Sequence, residues 1–257
     1  MSMIANYHTH TPRCNHATGR EEEYVQTAVE MGFSILGFSD HTPYVFPNGY
    51  ESHIRMRMNQ LKDYCSVVRN LQKRYSDRIQ ISLGLELEYY PDCFSKLLPA
   101  LQDNGIEYLL LGQHFLGNEA GEPYCGNPTG SEKVLEQYCR QSLDAMQTGK
   151  FTYFAHPDLI HYVGDDSVYR RYMRRLCAEA KSCNLPLEIN MLGIWSGRHY
   201  PDCRFWEMAA EEGCPVVIGC DAHAPDHLNK PDAEKKAMDI VQHYGLTLLE
   251  TVPLQKI

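Results

Sequence analysis

Short apolar, β-branched runs alternate along the chain with longer stretches whose apolar residues recur at helical spacing. The runs fall at Met3–Tyr7, Ile35–Phe38, Ile79–Leu87, Tyr108–Leu111, Phe151–Ala155, Leu187–Asn190 and Val216–Gly219. Most are continuously apolar rather than alternating, as in parallel strands covered on both faces. Between them, Glu21–Met31, Ile54–Tyr75, Pro91–Gln102, Ser131–Thr148, Ser167–Cys183, Arg204–Glu212 and Asp232–Tyr244 read as amphipathic helices. Ser131 and Asp232 suit helix starts, and Gly32, Gly105, Gly149, Gly213 and Gly245 stand where helices would stop. Seven strand–helix units in series predict a parallel barrel, closed or nearly so, with a doubly wound open sheet as the alternative. No Pro/Gly/Ser linker breaks the series, so residues 1–257 read as one domain. The segment 115–130, with four glycines and two prolines, reads as a long active-site loop.

Polar residues interrupt this pattern at one end of the strands. His8 and His10 end the first, Asp40 and His41 the second, Glu86 and Glu88 the third. His114 ends the fourth, His156 the fifth, Asp221 and His223 the seventh, and His16 lies in the first loop. These are C-terminal strand ends, which converge on one mouth in a parallel barrel and carry the catalytic groups of such enzymes. Side chains alternate along a strand, so His8 faces with His10, Glu86 with Glu88 and Asp221 with His223. Imidazole and carboxylate without thiolate suit Zn, Mn or Fe. A metal is also an economical partner for so many acceptor nitrogens. The other histidines, 53, 161, 199, 227 and 243, lie on loops or helices.

The remaining composition narrows the function. A net charge of -9 argues against nucleic acid, which demands clustered Lys and Arg. The basic run at 170–175, RRYMRR, suits the solvated face of a helix. The ten cysteines show no C-x-x-C spacing and read as reduced core residues. No apolar run approaches membrane length, and the N-terminus lacks a basic-then-apolar leader; the expectation is a cytoplasmic protein. Nothing in the sequence speaks to oligomeric state.

In order, the motifs YHTHT, SDH, GLE, GQH, AHPD and GCDAH resemble the PHP (polymerase and histidinol phosphatase) superfamily over residues 7–223. Within it, H-T-H-T-P-x-C-x-H at 8–16, F-S-D-H-T-P at 38–43 and G-x-E-x-E-Y at 84–89 resemble the histidinol-phosphate phosphatases. The resemblance implies a distorted, TIM-like (β/α)7 barrel and three divalent ions. It implies that His8, His10, Glu86 and Asp221 hold the first ion, and that Glu86 bridges to a second held by His114 and His156. His16, His41 and His223 would hold the third. Segment 188–201, EINMLGIWSGRHYP, departs from the family's usual I-N-T-S-G-x-R; Arg198 is the match to its phosphate-binding arginine.

The expected reaction is hydrolysis of a small phosphorylated substrate, releasing phosphate, with histidinol phosphate the foremost substrate. Three dications against two carboxylates leave a formal charge of about +4, enough to draw an anion to an acidic protein. The leaving alcohol needs a proton, for which Asp40, His199 or a water are candidates. Asp40 is alternatively an orienting partner of a ligand imidazole, and Glu88 either such a partner or a charge at the barrel rim. Two other enzymes compete: a phosphoesterase for nucleotides, sugar phosphates or phosphotyrosine, and an amidohydrolase-like C–N hydrolase. The second commonly bridges its metals with a modified lysine, and no lysine stands at a strand end here. A dead metal-binding module would have lost ligands, and all nine are present.

Overall fold

In the computed structural model, which describes residues 3–46 and 49–257, the apolar runs lie side by side as parallel strands in chain order. The strands are β1 (Ala5–Asn6), β2 (Ile35–Phe38), β3 (Gln80–Leu87), β4 (Tyr108–Leu111), β5 (Tyr153–Phe154), β6 (Leu187–Asn190), β7 (Pro215–Gly219) and β8 (Thr247–Leu248). The helices are α1 (Glu21–Glu30), α2 (Leu61–Arg74), α3 (Pro91–Asp103), α4 (Glu132–Gln147), α5 (Asp166–Ser182), α6 (Met191–Trp195), α7 (Cys203–Glu211) and α8 (Pro231–Tyr244). All residues of β4 and β6 are buried, as strands covered on both faces must be.

The sequence pattern predicts seven strands, and the described residues form eight. The extra one, β8, is two residues long and pairs with β7 at its base, through Pro215 and Val216. So short a strand carries no periodic signal. At the opposite end the ring closes without it. His10 N–H donates to Ala222 O (2.9 Å) and Ala222 N–H to His8 O (3.1 Å), joining the chain after β1 to the chain after β7. The architecture is the expected distorted α/β barrel, and this closure removes the open-sheet alternative.

Tyrosines fill the barrel below its mouth. Tyr108 packs edge-on against Tyr7 (centroids 6.2 Å apart), and Tyr7 against Tyr153 (6.5 Å). The Tyr108 hydroxyl donates to Tyr7 O at 2.7 Å, satisfying the polar tip of a fully buried ring. Gly37 and Gly84 make room for it, since a Cβ there would lie 2.2 and 2.3 Å from Tyr108 atoms. A larger apolar layer separates the sheet from the helices outside.

Several helix boundaries differ from expectation, most of them by a single residue. The helix read from Ile54 begins at Leu61, because Arg55 turns inward to buried carboxylates and holds its segment out of the helix. The short α6 follows β6 directly, capped by Asn190, whose side chain accepts from Gly193 N–H at 2.9 Å. The last long helix starts at Pro231 rather than Asp232. The basic run of α5 pairs across to neighbouring helices: Arg170 with Glu207, Arg171 with Glu132, Arg174 with Glu211 and Glu212. No helix among the described residues is long and apolar enough to cross a membrane.

Candidate metal centre

Strand ends and the loops beyond them bring all nine candidate ligands into one cluster. Glu86, fully buried, is its centre. Its Oε1 lies 2.8 Å from His156 Nε2 and 3.6 Å from both His8 Nε2 and His114 Nε2. Its Oε2 lies 3.1 Å from His41 Nδ1 and 3.7 Å from His10 Nε2. Asp221 Oδ1 faces His10 Nε2 at 3.1 Å and His8 Nε2 at 3.5 Å. Nearer the rim, His16 Nε2 and His223 Nε2 are 3.0 Å apart, with His41 beside them. Three sets, His8–His10–Asp221, His8–Glu86–His156 and His16–His41–His223, each have ligand atoms within 4.8 Å of one another. His10, Cys14 and His223 form a further set, in which burial pushes the Cys14 thiol well up.

Hydrogen bonds behind the rings decide which nitrogen faces inward. His8 Nδ1 lies 2.8 Å from Glu188 Oε1, and His114 Nδ1 2.9 Å from Glu88 Oε1. His16 Nδ1 lies 2.8 Å from Cys14 O, and His223 Nδ1 3.0 Å from Asp221 O. Carbonyls and carboxylates accept only, so Nδ1 carries the hydrogen and Nε2 keeps its lone pair. At His16 and His223 this leaves two lone pairs facing each other with no hydrogen between them. A cation resolves that opposition. His8 Nε2, both nitrogens of His10, His41 Nδ1 and Glu86 Oε2 are likewise buried without a hydrogen-bond partner. Each such orphan costs about 1–3 kcal/mol, so the donor set fits divalent metal, and its N/O chemistry suits Zn, Mn or Fe.

The electrostatics agree. Burial pushes the Glu86 carboxyl up, yet the imidazoles of His114, His41 and His8 reverse this and hold it well below the usual range. Burial lowers His10, but Asp221 and Asp40 raise it to about 9. The buried carboxylates therefore call for positive charge, which an ion supplies without protonating the rings. His156 (φ 33°) and Asp221 (φ 48°) adopt the left-handed backbone region, a strain that turns these side chains into the mouth. Gly112 leaves space for Glu86, since a Cβ there would sit 2.0 Å from Oε1.

Above the cluster, a cavity of about 480 Å³ is walled by Ile54, Phe115, Tyr124, Leu192, Arg198 and Tyr200. The loop at 115–130 supplies Phe115 and Tyr124, as its length led us to expect. Arg198 Nη1 donates to Tyr200 Oη at 2.8 Å, which fixes the guanidinium in the wall. No lysine lines this cavity among the described residues.

Two candidates for the proton donor are placed otherwise. His199 does not line the cavity: its Nε2 is bound to Leu159 O (2.8 Å) and its ring stacks on His161 at 4.0 Å. Asp40 is fully buried behind the ligands, accepting from Thr11 and from His41 N–H (2.8 Å), with His10 Nδ1 at 3.5 Å. That placement suits the other role read for it, orienting a candidate ligand imidazole. Glu88 is not a rim charge. It is fully buried, and although burial pushes it up, Arg55 and His114 hold it at about 2.

Glu188 escaped the sequence reading. Besides His8, its oxygens accept from Tyr153 OH (3.2 Å), His156 N–H (3.1 Å) and Asn190 Nδ2 (3.0 Å). Asn190 also donates to Asp221 Oδ2 at 3.1 Å. The available signal was a carboxylate inside the apolar strand Leu-Glu-Ile-Asn, on the same face as Asn190. His227 was also passed over; its Nδ1 accepts from His223 N–H at 3.1 Å, and it lines the cavity.

Comparison with known proteins completes the description. The PHP domain model matches residues 6–191. A Deinococcus radiodurans protein named probable histidinol-phosphatase is 30% identical, covering 93% of this chain and 95% of its own. The histidinol-phosphatase of Bacillus subtilis is 24% identical, over 84% and 92%. The fold matches the histidinol phosphate phosphatase of Lactococcus lactis, solved with zinc, L-histidinol and phosphate. The TM-score is 0.73 at 19% identity, covering 98% of this chain and 99% of that one.

Proposed function

The chain belongs to the PHP domain family, and from that premise we propose that it is a metal-dependent phosphatase that hydrolyses L-histidinol phosphate to L-histidinol and phosphate. The reading assigns three divalent ions to one barrel domain, residues 1–257, working in the cytoplasm. His8, His10, Glu86 and Asp221 hold the first; Glu86, His114 and His156 the second; His16, His41 and His223 the third. Bound there, such ions act as Lewis acids toward water and phosphoryl oxygens.

The chain's own groups do the rest. Arg198, braced by Tyr200, offers its remaining donors to the phosphoryl oxygens and stabilises charge that grows on them in the transition state. Tyr124, Phe115, Leu192 and Ile54 give the substrate's organic part an apolar wall and keep water from it. Glu188 and Glu88 hold His8 and His114 in the tautomer whose Nε2 lone pair points inward.

One observation carries the metal dependence: the Nε2 atoms of His16 and His223 face each other 3.0 Å apart while both Nδ1 atoms are spent on carbonyls; the substrate is argued from the likeness to histidinol-phosphatases. The test is metal analysis of the purified protein with phosphate release from histidinol phosphate, a nucleotide, a sugar phosphate and phosphotyrosine. Histidinol phosphate should have the highest kcat/KM. Faster turnover of one of the others would replace the substrate and leave the metal centre standing. Glu86→Gln should lose both full metal loading and activity; a loaded, active variant would refute the bridge.

A further inference from the structure

Arg55 is only 2% exposed, and the chemistry above makes no use of it. A buried guanidinium needs partners for its charge and for all five N–H groups. Arg55 has them. Nη1 and Nη2 fork onto Glu88 Oε2 and Oε1 at 2.9 Å each. Nε and Nη2 reach Glu119 Oε2 at 3.0 and 2.5 Å, and the second Nη1 hydrogen goes to Thr42 O at 3.1 Å. The Tyr44 ring lies 5.4 Å from the guanidinium carbon.

The partners belong to three different strand-end loops. Thr42 follows the ligand His41 after β2. Glu88 follows β3, and the oxygen it shares with Arg55 also accepts from His114 Nδ1. Glu119 lies in the loop after β4, the same loop that brings Phe115 and Tyr124 to the cavity. One side chain thus connects the support of a ligand ring to the wall that faces the substrate.

We infer that Arg55 is a positioning residue with two separate arms: through Glu88 it fixes the His114 ring, and through Glu119 it fixes the loop at 115–130 against the bound substrate. The inference rests on the reading of His114 as a metal ligand. Lysine retains the charge and cannot fork onto both carboxylates, so Arg55→Lys isolates the geometry.

The experiment is zinc titration against a competing chelator, with amide hydrogen exchange, on the full-length protein. In Arg55→Lys one class of zinc site should weaken roughly ten- to hundred-fold, the range for lost outer partners of ligands. Exchange across 115–130 should rise, and saturating zinc should restore kcat but not KM. Glu119→Gln should raise exchange in that loop and KM while zinc affinity stays at the wild-type value. Glu88→Gln should weaken zinc binding. An Arg55→Lys protein with wild-type zinc affinity and loop exchange, whatever its melting temperature, would make Arg55 a plain structural ion and overturn the inference. So would Glu119→Gln weakening zinc as much as Glu88→Gln, which keeps the idea testable if the lysine variant does not fold. Zinc binding and exchange need no substrate. A protein that met these expectations and ignored histidinol phosphate would therefore sink the substrate reading alone.

Discussion

Replacing Glu188 by glutamine changes one oxygen to NH2 in a side chain whose two oxygens both accept. Oε1 serves His8 Nδ1–H and Tyr153 OH; Oε2 serves His156 N–H and Asn190 Nδ2. Whichever way the amide turns, its NH2 meets donors. Turned toward Oε2, it leaves the His156 backbone N–H without a partner, a cost of about 1–3 kcal/mol. Turned toward Oε1, it forces His8 to accept at Nδ1, which moves the ring hydrogen to Nε2 and covers the lone pair that faces Asp221 and Glu86. Escape is blocked, because Gly219 packs so closely that a Cβ on it would lie 1.8 Å from Oε1. Metal affinity should therefore fall roughly 10- to 100-fold, a free-energy change of about 1.4–2.7 kcal/mol. The metal-free variant should also lose roughly 1–3 kcal/mol of stability. Zinc titration against a chelator measures the first and urea unfolding of the metal-free protein the second. A variant matching the wild type in both would refute the assignment of Glu188 as the partner that sets the His8 tautomer.

Three further outcomes are expected. Gly112→Ala should displace Glu86, into which its Cβ would run, costing about 1–3 kcal/mol of stability and most of the metal; a fully loaded variant by elemental analysis would contradict the fit. Arg198→Ala should raise KM or lower kcat with metal content intact, whereas His199→Ala, turned onto Leu159 and His161, should keep kcat near wild type; steady-state kinetics that reversed the two would reverse their placement. Chelation should lower the melting temperature: an ion at a hundred times its dissociation constant contributes about 2.7 kcal/mol per site, or roughly 5–10 °C for a chain of this size, read by a calorimetric scan with and without zinc.

The strand ends were readable because burial on both faces makes a strand continuously apolar, so a histidine or carboxylate at its tip stands out. His8, Glu86 and Asp221 stood out in that way. Glu188 sits one residue into an equally apolar strand and is surrounded by donors from four other positions, of which only Asn190 is near in sequence. Arg55 presented an apolar-looking helical context, with Ile54, Met56 and Met58 around it, and only its distant carboxylates pull that segment out of the helix. Asp40 offered two roles because its strand position specifies depth and not partners. His199 neighbours Arg198 in the chain, yet consecutive residues in an irregular segment point in different directions. Two-residue β8 pairs with β7 and is too short to leave a pattern to read.

The ring of strands is fastened at its mouth by bonds between the two ends of the chain: Ala222 to His8 and His10, and Cys220 N–H to Asn6, 214 positions away. The first and last candidate ligands are thus neighbours in space and are made far apart in time. While the ribosome is still making β7, His8 and His10 have no Asp221 to meet. In the proposed centre, cation capture at the first site becomes a late event, one that waits for the chain after β7 to close the seam with the chain after β1.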